Sequence, residues 1–139
     1  MADDDRLTLI GGDDADVPVL SALVQDAIVR VGDVGYDRGG RRLVLIASRY
    51  RWEMPDRTRT RTALRIETVL GVQQQGWPRD PDVFLDLLAV TATQSPEDGD
   101  IITLAFAGGA SLRARVECID MVLEDLSPAW GVRHTPEHR

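Results

Sequence analysis

From about residue 33 to residue 117 the apolar side chains recur with a period of two, interrupted at intervals by glycine, proline and aspartate. Successive side chains of an extended strand point to opposite faces, so this pattern commits most of the chain to an antiparallel sheet with one apolar face. Residues 33–37 pair with 42–52 across the turn Arg38-Gly39-Gly40-Arg41, and residues 101–106 pair with 110–116 around Gly108-Gly109. Between these hairpins, residues 59–67 read as a strand continuing into 69–75 with a bend near Gly71. Residues 83–93 read as a long apolar strand. Pro78 and Pro81 make 76–82 a loop.

The flanks follow a different period. After a short strand at Leu7 to Ile10, Asp16 and Pro18 suit the start of a helix. Val17, Leu20, Leu23, Val24, Ala27, Ile28 and Val31 then recur at helical spacing until Gly32 and Gly35. At the other end Ile119, Val122, Leu123 and Leu126 fall at i, i+3, i+4 and i+7, predicting an amphipathic helix over 117–126 that Pro128 stops. The expected fold is therefore α+β: a strongly bent antiparallel sheet or partly open barrel of about seven strands, covered by a C-terminal amphipathic helix and preceded by an N-terminal strand and helix. This order resembles the pleckstrin-homology-like superfold, in which a final helix plugs one end of the barrel. One domain is expected over residues 1–127, with 128–139 as a flexible tail.

The length of 139 residues suits one domain with a substantial core. No apolar run approaches the roughly 20 residues of a spanning helix, and Asp3, Asp4 and Asp5 are the opposite of a basic leader. A cytoplasmic location is expected. The single cysteine, Cys118, cannot form an internal disulfide and is expected as a small buried apolar group at the start of the last helix.

A net charge of −7 opposes general nucleic-acid binding. The charge is segregated, however. Every basic side chain other than histidine is arginine, and nine of the 16 lie between Arg38 and Arg65 with only Glu53 and Asp56 among them. In strand alternation Arg57, Arg59, Arg61 and Arg65 share one face, and Arg49 and Arg51 share one face of the strand before it. If the strands pair, two rows of guanidinium groups meet, and such a surface binds phosphate or carboxylate in a bidentate manner. The competing reading is a solvated face neutralised by the chain's own carboxylates. Arg49-Tyr50-Arg51-Trp52 interleaves cations and rings as single-stranded nucleic-acid platforms do, yet alternation puts them on opposite faces, which argues against nucleic acid as a partner.

Trp77, in the proline-bearing loop, is a candidate partner-binding anchor, set against a role in pinning that loop to the sheet. His134 and His138 have i, i+4 spacing without a third ligand, so no metal is expected. Asp86 interrupts an apolar strand and would need an arginine if it faced inward. No nucleophile–base pair or phosphate-cradling glycine loop is present, so no catalytic residues and no cofactor are expected.

Several stretches together resemble a family of bacterial proteins catalogued as a domain of unknown function: Leu7-Thr8-Leu9-Ile10, Leu23-Val24-Gln25-Asp26-Ala27, Val31-Gly32-Asp33-Val34, Arg49-Tyr50-Arg51-Trp52-Glu53, Thr62-Ala63-Leu64-Arg65 and Val116-Glu117-Cys118-Ile119. The resemblance covers nearly the whole chain and implies a gene neighbourhood beside histidinol dehydrogenase. It brings no activity or site residues. Three functions follow in order of expectation: a non-catalytic module binding a protein or peptide through an open sheet edge or the Trp77 loop, a module binding an anionic ligand on the arginine strip, and an enzyme.

Overall fold

The computed structural model describes residues 6–131. Its strands are β1 (Thr8–Gly11), β2 (Ala27–Asp37), β3 (Arg42–Tyr50), β4 (Thr58–Ile66), β5 (Val69–Gln75), β6 (Phe84–Ser95), β7 (Gly99–Phe106), β8 (Ser111–Val116), β9 (Met121–Asp125) and β10 (Trp130–Gly131), with a helix α1 (Asp16–Val24) between β1 and β2. Both hairpins form where the turn chemistry places them. Asp37 pairs with Arg42, and the Asp37 carboxylate accepts the Gly40 N–H at 3.0 Å inside the turn. Gly108 and Gly109 take φ of 84° and 92°, values that glycine adopts without steric cost.

All ten strands join one antiparallel sheet in the order β1-β9-β4-β3-β2-β6-β7-β8-β5, with β10 paired to β4. Among the described residues the sheet is not closed: its path ends on β1 and β5, and β10 pairs with β4 alone. Connections β4–β5 and β8–β9 both carry the chain between its two halves, and they are bonded to each other through Glu67 N–H to the Asp120 carbonyl and Glu117 N–H to the Thr68 carbonyl. Leu43, Leu45, Leu64, Ile66, Met121 and Leu123 from one half meet Leu87, Val90, Ile102, Leu104, Leu112 and Ala114 from the other in a single core. Each buried leucine contributes about 1.5–3 kcal/mol relative to exposure.

The helix is shorter than its spacing predicted and ends at Val24. Gln25 is already extended, and Asp26 takes φ of 61°. Ala27, Ile28 and Val31, which also fit the helical stripe, lie in the first half of β2. There Ala27, Val29 and Val31 face inward, and Ile28 and Val29 are β-branched residues that favour a pleated surface. Val17, Leu20 and Val24 seat α1 in the core, where it packs mainly on β6 and also on β1 and β3. Gly11 permits this approach, because a Cβ there would stand 2.7 Å from Leu20 Cδ1.

The C-terminal helix is also corrected. Residues 121–125 form β9, with Met121, Leu123 and Asp125 inward and Val122 and Glu124 outward. A period of two coexists with the helical spacing here, and pairing with β4 on one side and β1 on the other favours the strand. The sheet therefore has ten strands rather than about seven, and the element expected as a barrel plug belongs to the sheet. It is the N-terminal helix that covers the core. Cys118 lies exposed in the β8–β9 turn rather than buried in a helix. Beyond position 127, Trp130 and Gly131 return to pair with Arg59 and Thr58. No helix among the described residues is long and apolar enough to cross a membrane.

Candidate functional site

Residues paired across antiparallel strands share a face. Strands β3 and β4 do pair, but Arg49 stands opposite Thr60 while Arg59 stands opposite Tyr50 and Arg61 opposite Ser48. The two arginine rows consequently lie on opposite faces of the sheet. Arg49 continues the inward series Leu43, Leu45 and Ala47, and it is fully buried.

Its charge is met by two carboxylates. Arg49 Nε donates to Asp125 Oδ1 at 2.8 Å and Nη2 to Oδ2 at 2.7 Å, while Nη1 and Nη2 reach Glu53 Oε1 and Oε2 at 2.9 and 2.8 Å. Asp125 Oδ2 also accepts the Leu7 N–H. Burial alone would lower the Arg49 pKa, but its hydrogen bonds to Glu53 and Asp125 hold it above the usual arginine value. Burial likewise pushes Glu53 up, but the Arg49 hydrogen bond, a backbone hydrogen bond and the Arg49 charge together outweigh it, leaving Glu53 below the ordinary carboxylate value. This cluster joins β3, β9, the loop after β3 and the segment before β1.

The remaining members of the strip are dispersed. Arg51 is buried, donating to Thr58 Oγ1 at 3.0 Å beside Asp56 at 3.7 Å. Arg59 donates to the Ser48 carbonyl at 2.9 Å. Its burial lowers its pKa against the opposing pull of Asp86 and Asp26, and Asp86 itself is exposed on the outer face rather than inward. Arg65 donates to Glu67 at 3.1 Å. Arg57 and Arg61 stay exposed with no ion pair among the described residues. Trp77 is half-buried against the core, its ring edge-on to Phe106 at 5.3 Å. His134 and His138 lie outside the described residues, and within those residues no cluster of three or more His, Cys, Asp or Glu is placed to hold a metal.

A different region brings recognition features together. Among the described residues strand β5 pairs only with β8, so its second side has no strand neighbour there. Its sequence, Val-Leu-Gly-Val-Gln-Gln-Gln, carries neither charge nor proline, the devices that usually blunt an exposed edge. The other edge, β1, is only four residues long. Strand β5 is held at both ends. Val69 N–H donates to the Arg41 carbonyl at 2.8 Å, and just past the other end Trp77 is anchored on Phe106.

Two hollows meet at Gly71 and Val72. One, of about 400 Å³, lies between β5 and the β2–β3 turn and is lined by Tyr36, Arg38, Arg41 and residues 69–72. The Arg38 guanidinium sits 5.9 Å above the Tyr36 ring, and Arg41 is ion-paired to Glu117. The second, of about 170 Å³, lies over β8 and β5 and is lined by Gly71, Val72, Gln73, Asp98, Ile101, Arg113 and Arg115. Arg113 stands beside Gln73 and Arg115 beside Gly71. A methyl group on Gly71 would lie 3.8 Å from Arg115 Nη2, so this guanidinium extends over the edge strand. Sequence reasoning missed the region because strand order is set by non-local pairing. The alternation of Arg113 and Arg115 was its only local signal.

Fold and site together define an open, antiparallel-sheet protein with a basic-flanked edge. The chain belongs to the family described as protein of unknown function (DUF2948), which matches residues 7–138. No curated protein and no solved structure matches it.

Proposed function

We propose that this protein is a non-catalytic interaction module that takes an extended protein or peptide segment as an added strand on β5. The observation that carries this reading is an uncharged edge strand with no second strand partner among the described residues, its free side bonded at Val69 to the Arg41 carbonyl, beside a groove of about 400 Å³. An added strand gains main-chain hydrogen bonds from the edge, while alternate side chains enter the flanking hollows. Val72 and the Tyr36 ring supply apolar surface there, and Leu70 adds an exposed side chain.

Anion binding on the β4 face is the second reading, supported by the exposure of Arg57 and Arg61. It is the weaker one, because Arg49, Arg51, Arg59 and Arg65 already donate to acceptors within the protein.

Selection of displayed random peptides against the protein tests strand addition. Enriched peptides are resynthesised with N-methyl groups on odd or on even residues. Loss of binding in one series and retention in the other is expected, since alternate N–H groups face the edge. Equal binding by both series, or no enrichment, contradicts the reading.

A further inference from the structure

We infer that the segment received by β5 is acidic, with Asp or Glu at alternate positions facing Arg113 and Arg115. This inference rests on strand addition at β5 and specifies its occupant. Arg113 and Arg115 are two residues apart on β8 and share its outer face, which spaces them by about 6.5–7 Å along the strand. Side chains at i and i+2 of an added strand repeat at the same interval.

A strand beyond β5 would lie about 9.5 Å from β8; an intervening side-chain amide can relay a contact across that gap, and an extended arginine and a carboxylate bridge it directly where the intervening position is small. Gly71 is that position. The Arg115 guanidinium already lies over it, and at the next row Gln73 presents an amide beside Arg113.

The local charge balance points the same way. Although acids outnumber arginines in the chain, neither Arg113 nor Arg115 has an ion pair among the described residues. Arg30, Arg41, Arg42, Arg49, Arg51 and Arg65 are all ion-paired. Asp98 lines the same hollow and offsets one of the two charges, leaving the pocket cationic. Arg38, across the strand, adds a further cation on the turn side, without an ion pair among the described residues. A carboxylate reaching these groups forms charge-assisted hydrogen bonds in a partly enclosed site.

The test uses two fluorescein-labelled nine-residue peptides, one alternating threonine with glutamate and the other threonine with glutamine, measured by anisotropy at low salt. The glutamate peptide is expected to bind about tenfold tighter, a difference of about 1.4 kcal/mol, and to lose that advantage at high salt. Combined Arg113→Gln and Arg115→Gln substitution should bring the two peptides to equal affinity. Gly71→Val should reduce the preference by crowding Arg115, with thermal melting used to verify folding. Equal binding by the two peptides overturns the acidic occupant but leaves strand addition standing. Failure of both peptides overturns strand addition and this inference together. A dimer seen by sedimentation that protects the β5 amides from exchange and that the glutamate peptide does not dissociate identifies a second copy of the chain as occupant and also overturns it.

Discussion

The Arg115 guanidinium lies across Gly71, reaching from β8 over the edge strand toward the side where the sheet has no further strand among the described residues. An arginine that would otherwise be an unremarkable outward residue is thereby brought to an open edge. Replacing Gly71 by alanine adds only a 3.8 Å contact, at a backbone position without positive φ, so Gly71→Ala should change stability by less than about 1 kcal/mol. Urea denaturation measures this, and a large loss would show that Gly71 serves the fold itself.

Asp125 and Arg49 form a buried bidentate pair, with side-chain exposures of 1% and 0%. Asp125→Ala removes one partner and leaves Glu53 as the only carboxylate on a buried cation, so a loss of about 3–5 kcal/mol is expected. The double substitution Arg49→Met, Asp125→Leu should cost less than Asp125→Ala alone, because no buried charge is left without Asp125. Chemical denaturation of the wild-type, Asp125→Ala and double-variant proteins measures the difference, and a double variant no more stable than Asp125→Ala would contradict this account.

Glu53 provides a pH dependence of known sign. Its pKa is lower in the folded chain than the ordinary carboxylate value, so its stabilising contribution is present above that value and is lost as pH falls through the folded one. Glu53→Gln should therefore flatten the decline in stability below about pH 4.5, measured by denaturation at a series of pH values. An unchanged acid limb would remove Glu53 from the linkage.

Trp77 fixes the chain just after β5 through its edge-on contact with Phe106. Trp77→Ala should cost about 2–3 kcal/mol, below the range for fully buried aromatics because the ring is half-exposed. Amide exchange in residues 71–75 should accelerate more than in β3 or β4. Uniform acceleration would separate Trp77 from the edge.

The sheet and its hairpins are legible in the sequence because alternation and turn chemistry are local. Errors arose where two periods coexist. Val24, Ala27, Ile28 and Val31 satisfy a helix, yet the break at Gln25 and Asp26 and the pairing of β2 with β6 place the last three in a strand. Residues 119–126 carry both spacings, and the open sides of β1 and β4 decide between them. The facing of Arg49 could have been read from its parity with Leu43, Leu45 and Ala47, which extends an apolar face to a buried cation. Nothing local reveals that Asp125, 76 residues away, is its partner. The free side of β5 is equally a property of strand order.

Amide hydrogen exchange across β5, with and without a selected peptide, tests the central claim most directly. In the free protein, amides within residues 71–75 that face away from β8 should exchange quickly. Saturating peptide should slow those same amides by about tenfold or more, leaving β1 and β4 unchanged. Protection confined to β1 or β4, or no protection in β5, would contradict strand addition at this edge.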